Sequence, residues 1–286
     1  MPFSSLPLDI QLSVFDVLQD YKITLHTCAV VCKAWLGLSR RYLFRKMGIY
    51  SVDVEHFNDF LGSSEGAAIC SYVQHLKLLG AHLPNTLGLT SPRIGLSFLH
   101  DLLSKLPALR HLSLLMLECA DIGDTVDPSS FPQLSSLDVL DVQPFLPSST
   151  GSIVDIFRVV ALFPSVHDFR VSFTYWPVRS LDVDETAPAI FFRKTVKIHT
   201  LVIDTMDVSS FLVLLQGVLR TASHFGPLHT ISVLILDWET TRIFGRFLNV
   251  AGPNLTGLRL NISLGRYTWV QGGKWPALLT SPSARH

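Results

Sequence analysis

From Val73 onward the chain repeats one arrangement of apolar positions. Units reading apolar-x-x-apolar-x-apolar start at Val73 (VQHLKL), Leu109 (LRHLSL), Leu134 (LSSLDV), Val166 (VHDFRV), Ile198 (IHTLVI), Leu228 (LHTISV) and Leu255 (LTGLRL). The intervals are 36, 25, 32, 32, 30 and 27 residues, a spacing expected of repeated structural units. Pro107, Pro132, Pro164 and Pro253 each stand two residues before the first apolar position, and Pro227 stands one before. Proline stops a preceding helix and admits an extended segment after it, so each unit predicts a short strand.

Helical spacing of apolar residues precedes several of these strands. Ser91-Pro92 reads as the cap and first position of a helix carrying Leu96, Leu99, Leu103 and Leu106 on one face. Ile153, Ile156, Phe157 and Val160 repeat that spacing, as do Phe211, Leu215, Val218 and Leu219, and Ile243, Phe244, Phe247 and Leu248. Helix, proline, strand is the grammar of a stacked array in which no unit buries its apolar face alone. Period-two alternation sends the third and fifth positions to the opposite sheet face. Those positions include His75, Lys77, His111, Asp138, Asp168, Arg170 and Arg259, a polar, mixed-charge surface suited to a protein target. The same residues also fit simple solvated strand positions.

The first 48 residues follow another pattern. Leu6-Pro7 opens an apolar series through Ile10, Val14, Phe15, Val17 and Leu18, and Pro7 suits a helix start. From Thr24, expected as the N-cap, Leu25, Cys28, Ala29, Cys32, Trp35 and Leu36 fall at helical spacing, with Arg40, Arg41, Arg45 and Lys46 closing the segment. Cys28 and Cys32 could supply half of a tetrahedral zinc site, but no second pair of ligands accompanies them. They read as small apolar packing residues. Between this segment and Val73, VEHFNDFLGSSEGAA suggests a short helix and then a Ser/Gly loop.

Four elements in order, Leu6-Pro7-x-Asp9-Ile10, Val14-Phe15-x-x-Leu18, Val31-Cys32-Lys33-x-Trp35 and Leu43-Phe44-Arg45, resemble an F-box. Asp9 replaces the commoner Glu and Phe44 the commoner Trp, with chemical character kept. The resemblance covers about 45 residues and implies a three-helix module that docks on the Skp-type adaptor of a cullin–RING ubiquitin ligase. It makes Leu6, Pro7, Ile10, Val31 and Trp35 the adaptor-facing or supporting residues, with Trp35 as readily internal to the helices. The later units resemble a degenerate leucine-rich repeat of the kind found in fungal F-box chains. The asparagine of that repeat is missing; its position holds Ala81, Leu117 and Val142 in the first three units.

The expected fold is therefore α+β, an F-box module (1–48), a linker helix and loop (49–70), and an irregular α/β leucine-rich-repeat-like solenoid (71–286). A conventional parallel α/β sheet is the structural alternative. The expected function is substrate recognition for an SCF-type (Skp–cullin–F-box) ligase, and the alternatives are a non-ligase binding scaffold and a cryptic α/β enzyme.

Composition narrows the field. Apolar residues make up 48% and charged residues 16%, so the chain is no disordered polar segment. Lys+Arg and Asp+Glu balance at 23 each, which argues against nucleic acid or an anionic membrane surface as partner. No apolar run is long enough to cross a bilayer, and Asp9 interrupts the first one, unlike a secretory signal. A cytoplasmic or nuclear setting follows as an expectation. Templates for catalysis are empty: GLSFL at Gly95 lacks the last glycine of a nucleophile elbow, and GGK at Gly272–Lys274 lacks the rest of a phosphate loop. No cofactor, metal or catalytic residue is expected. WVQGGKWPALLTSPSARH after the last unit gives no clear capping repeat, so the end of the array stays open.

Overall fold

A computed structural model describes residues 6–31, 33–80, 93–117, 119, 130–143, 151–172, 196–204, 214–215, 218, 228–235, 238–251 and 255–262. The elements in chain order begin with α1 (Leu8–Leu18), α2 (Lys22–Val31), α3 (Lys33–Leu43) and β1 (Lys46–Tyr50). A 3-10 turn (Ser51–Asp53) leads to α4 (Val54–Gly62), α5 (Ser64–Cys70), β2 (His75–Leu79), α6 (Leu96–Ser104) and β3 (His111–Leu115). Then follow β4 (Leu137–Gln143), α7 (Gly151–Val160), β5 (Ser165–Ser172), β6 (Lys197–Asp204), β7 (Thr230–Ile235), α8 (Trp238–Ala251) and β8 (Gly257–Ile262). The chain is of mixed helix and strand class, built on one parallel sheet.

All eight strands join that sheet in the order β1-β2-β3-β4-β5-β6-β7-β8, so spatial order equals chain order. Each described strand hydrogen-bonds only to its neighbours in sequence. The apolar rows explain this. Leu76, Leu112, Leu140, Phe169, Leu201 and Ile231 are in register across the sheet and essentially fully buried, as are Leu78, Leu114, Val142, Val171, Ile203 and Val233 one pleat on. Helix residues Phe57 and Leu61 of α4, Leu99 and Leu102 of α6, Phe157 and Val160 of α7, and Phe244 and Phe247 of α8 join these rows in one apolar core. Because each inward row is matched strand to strand, a slip of one residue would turn the whole row outward; this fixes the register.

Several expectations change. β4 pairs Val139 with His111 and with Asp168, so its buried triplet is Leu137, Leu140 and Val142, three residues later than the unit read at Leu134. The corrected phase replaces intervals of 25 and 32 with 28 and 29. β1 is an additional strand: Met47 pairs with Leu76 and Ile49 with Leu78, and Phe44 stands three residues before Met47 as the first apolar position of such a unit. The boundary drawn at 48/49 therefore falls inside a strand. The segment 49–70 is likewise more than a linker, since Val54, Phe57, Leu61 and Cys70 are core residues.

The Ser/Gly stretch expected as a loop is α5. Ser63 caps it by accepting from the Gly66 amide at 3.1 Å. A Cβ on Gly66 would collide with the Phe60 carbonyl oxygen, so the tight α4–α5 corner calls for glycine. Helix α6 starts at Leu96 with Gly95 as its N-cap, not at Pro92; Ser91 and Pro92 lie outside the described residues. Its apolar face is as read, with Leu96, Leu99, Leu103 and Leu106 all buried. Polar contacts tie α6 to α4: Asn58 Nδ2 donates to Asp101 Oδ2 at 3.0 Å, and Lys105 Nζ donates to both Asn58 Oδ1 and Asp101 Oδ2 at 2.9 Å.

Candidate functional site

Two surfaces carry the sequence-derived candidates, the three N-terminal helices and the open face of the sheet. The helices enclose a small core of their own, Phe15, Leu25 and Tyr42, with Leu12, Leu18, Cys28, Trp35, Leu38 and Leu43 packed around it. Trp35 meets Phe15 edge-on at 5.8 Å between ring centroids, and Tyr42 stacks on Phe15 at 5.7 Å. The Tyr42 hydroxyl donates to Asp16 Oδ1 at 2.9 Å, and burial raises its pKa, reinforced by that acceptor. Lys22 Nζ donates to the Leu43 carbonyl at 2.7 Å and ties the start of α2 to the end of α3. Burial lowers the pKa of its ammonium group, followed by the nearby Lys46. Thr24, expected as a cap, lies inside α2, which begins at Lys22. Cys32 lies outside the described residues.

These helices leave much apolar surface uncovered. Ile23 is 85% exposed, Val30 and Val31 75%, Val17 74%, Leu8 62% and Ile10 46%. Of the five residues expected to serve an adaptor, Pro7, Ile10 and Val31 lie at the surface. Leu6 is half-buried, with its carbonyl accepting from Gln11 Nε2 at 2.8 Å. Trp35 is half-buried and packs inward against Phe15. Sequence reasoning missed Leu8, Tyr21, Ile23 and Val30. A signal was available in α1, whose apolar residues form two stripes: Leu12, Phe15 and Leu18 inward, and Ile10, Val14 and Val17 outward. A helix apolar on both sides has two things to cover.

On the open sheet face, the third-position row runs His75, His111, Val139, Asp168, Thr200, Thr230 and Gly257 from β2 to β8. The fifth-position row runs Lys77, Ser113, Asp141, Arg170, Val202, Ser232 and Arg259. His75, Lys77, His111, Asp168, Arg170 and Arg259 thus occupy the two rows assigned to them. Asp138 does not. The three-residue correction to β4 puts Asp141 in its place, and Asp138 sits at the strand entrance, 3.5 Å from Arg110.

The electrostatics of this face are local. Arg170 holds Asp168 at 3.2 Å. Burial raises the Asp141 pKa, opposed by Arg170, its register partner on β5, and by Lys77, two strands away on β2. The His75 and His111 rings lie 4.0 Å apart between centroids. Burial first, then His111, Arg45 and Lys46, push His75 down to about 4; burial also lowers His111. One position before the third row, His167, His199 and His229 form a ladder across β5, β6 and β7 with ring spacings of 5.0 and 5.3 Å. Burial lowers the His199 pKa, and both neighbouring imidazoles add to the effect. Register explains their recurrence: each stands one residue after the first apolar position of its unit.

Comparisons with known proteins give one result. No protein-family model matches the chain, and neither a curated protein nor a solved structure resembles it significantly. Its function therefore rests on its own residues. Among the described residues, no group of three or more His, Cys, Asp or Glu is placed to hold a metal ion, and no helix is long and apolar enough to cross a membrane.

Proposed function

We propose that the chain is a substrate-recognition subunit of an SCF-type ubiquitin ligase, with α1–α3 as an F-box docking on a Skp-type adaptor and the sheet region holding a protein target. The observation that carries this reading is the uncovered apolar surface of the helices. Ile10, Val17, Ile23, Val30 and Val31 face solvent on a unit whose own core is only a few side chains. Several large exposed aliphatics on so small a helical unit are what a surface completed by a partner leaves uncovered in the isolated chain. The four ordered F-box-like elements coincide with α1–α3 and the turn into β1.

The sheet supports the second half of the proposal. Strands in chain order, repeated about every 30 residues and with core helices among them, fit a leucine-rich-repeat-like solenoid. A doubly wound sheet would instead reverse its strand order at a switch point. The open face offers Lys77, Arg170 and Arg259 beside Asp141 and Asp168, a mixed-charge surface for a protein rather than a polyanion. In this role the chain performs no bond chemistry. It raises the effective concentration of a target near a charged ubiquitin-conjugating enzyme.

Co-expression with a Skp-type adaptor tests the reading. A stoichiometric complex is expected, and Ile10→Glu with Val31→Glu should weaken it by at least thirtyfold, about 2 kcal/mol, without unfolding the chain. Leu6→Ala with Pro7→Ala should act in the same direction. Failure to form a stoichiometric complex rejects the ligase role and leaves a repeat scaffold without a ligase.

A further inference from the structure

A cleft of about 240 Å3 opens where the helices meet the sheet, lined by Leu12 and Asp16 of α1, Arg41 and Tyr42 of α3, Arg45 before β1, and Gln74 before β2. The geometry points to this cleft as a binding site for a single carboxylate, supplied by an acidic side chain or a chain terminus of a peptide.

The donors are held in place. The Arg45 carbonyl accepts from the Gln74 and His75 amides at 3.0 and 2.9 Å, which anchors Arg45 at the junction. Its Nε donates to Gln74 Oε1 at 3.1 Å, leaving the two terminal nitrogens of the guanidinium without a partner among the described residues. Arg41, one turn earlier, makes no ion pair among the described residues and is exposed at the rim. Two guanidinium groups four residues apart form a pair of planar forks suited to carboxylate oxygens.

Charge decides the class of anion. Asp16 lines the same cleft and, among the described residues, its carboxylate is engaged only by the Tyr42 hydroxyl, so the lining side chains, two cations and one anion, carry a single net positive charge. A monoanion neutralises it; a phosphate dianion would leave a negative excess beside Asp16. The carbonyls of Tyr42 and Leu43 at the end of α3 would also repel an anion, but Lys22 Nζ lies 3.4 and 2.7 Å from them. Size agrees. At ~30 Å3 per water, the cleft holds roughly eight waters, enough for one carboxylate-bearing group and its bridging waters.

The probe is N-acetylglycine, titrated into the isotope-labelled full chain at low ionic strength while the Tyr42 and Gln74 amide resonances are followed. Saturable shifts are expected, with no response to the neutral N-acetylglycinamide. Arg41→Gln with Arg45→Gln should weaken binding at least tenfold, while Arg40→Gln, which removes the same charge from the exposed side of α3, should change it less than twofold. An unchanged spectrum away from the cleft shows that the double variant is folded. The proposal is overturned if no saturable shift occurs, if the amide probe acts equally, or if Arg40→Gln weakens binding as much. Inorganic phosphate binding tenfold more tightly than the carboxylate would also overturn it.

Discussion

His75 offers a direct test of how the open sheet face is built. Its imidazole is half-buried against His111, with Arg45 and Lys46 adding positive charge and Asp138 opposing them, and its pKa falls from 6.5 to about 4. The unfolded chain therefore binds a proton at higher pH than the folded chain. Stability from the neutral ring is fully present above pH 6.5 and is lost as pH falls through the folded value near 4. At about 1.4 kcal/mol per unit the whole shift corresponds to about 3 kcal/mol. Solvent screening at a partly exposed site reduces this to about 1 kcal/mol. Urea unfolding of the chain and of His75→Gln at pH 7.5 and pH 5 would measure it. The stability difference between the two pH values should be about 0.6 kcal/mol smaller in the variant, because Gln carries no proton to repel and pH 5 lies only part-way from 6.5 to the folded value near 4. Identical pH dependence in the two chains would refute the assignment of acid sensitivity to this ring.

Further tests address packing. Gly66→Ala forces a methyl group against the Phe60 carbonyl and should lower the melting temperature by several degrees, about 1–3 kcal/mol; an unchanged melting temperature would show that the α4–α5 corner relaxes freely. Phe15→Ala removes the centre of the N-terminal core, at a cost of about 3–5 kcal/mol, and should expose α1–α3 to protease while the sheet stays protected. Ile231→Ala in β7, fully buried, should cost about 2–4 kcal/mol. Its register partner in β8, Leu258, is 50% exposed, so Leu258→Ala should cost less than about 1 kcal/mol by denaturant midpoint.

The inward apolar rows were legible because burial on a parallel sheet demands the same spacing in every strand. Phase was less legible where two readings satisfied that spacing. LSSLDVLDV offers apolar triplets at both Leu134 and Leu137, and Pro132 favours the earlier one by position alone. Pairing to β3 and β5 decides for the later one, a constraint no single strand contains. β1 was hidden for another reason: Phe44 ends the F-box-like pattern and also opens a strand unit, so one residue serves two elements. On the candidate surfaces, residue type identified the polar positions of the sheet, but the cleft between Arg41, Arg45 and Gln74 joins segments nearly 30 residues apart and needed coordinates.

The order of the strands bears on how the molecule is made. Every described strand pairs with the one before it, so each new segment finds its template already present as synthesis proceeds. Nothing in the described sheet waits for a distant C-terminal strand to be inserted between earlier ones. The loops to be closed stay near 30 residues, which keeps their entropic cost nearly constant from one addition to the next. Such a chain can fold vectorially behind the ribosome, exposing one growing edge at a time.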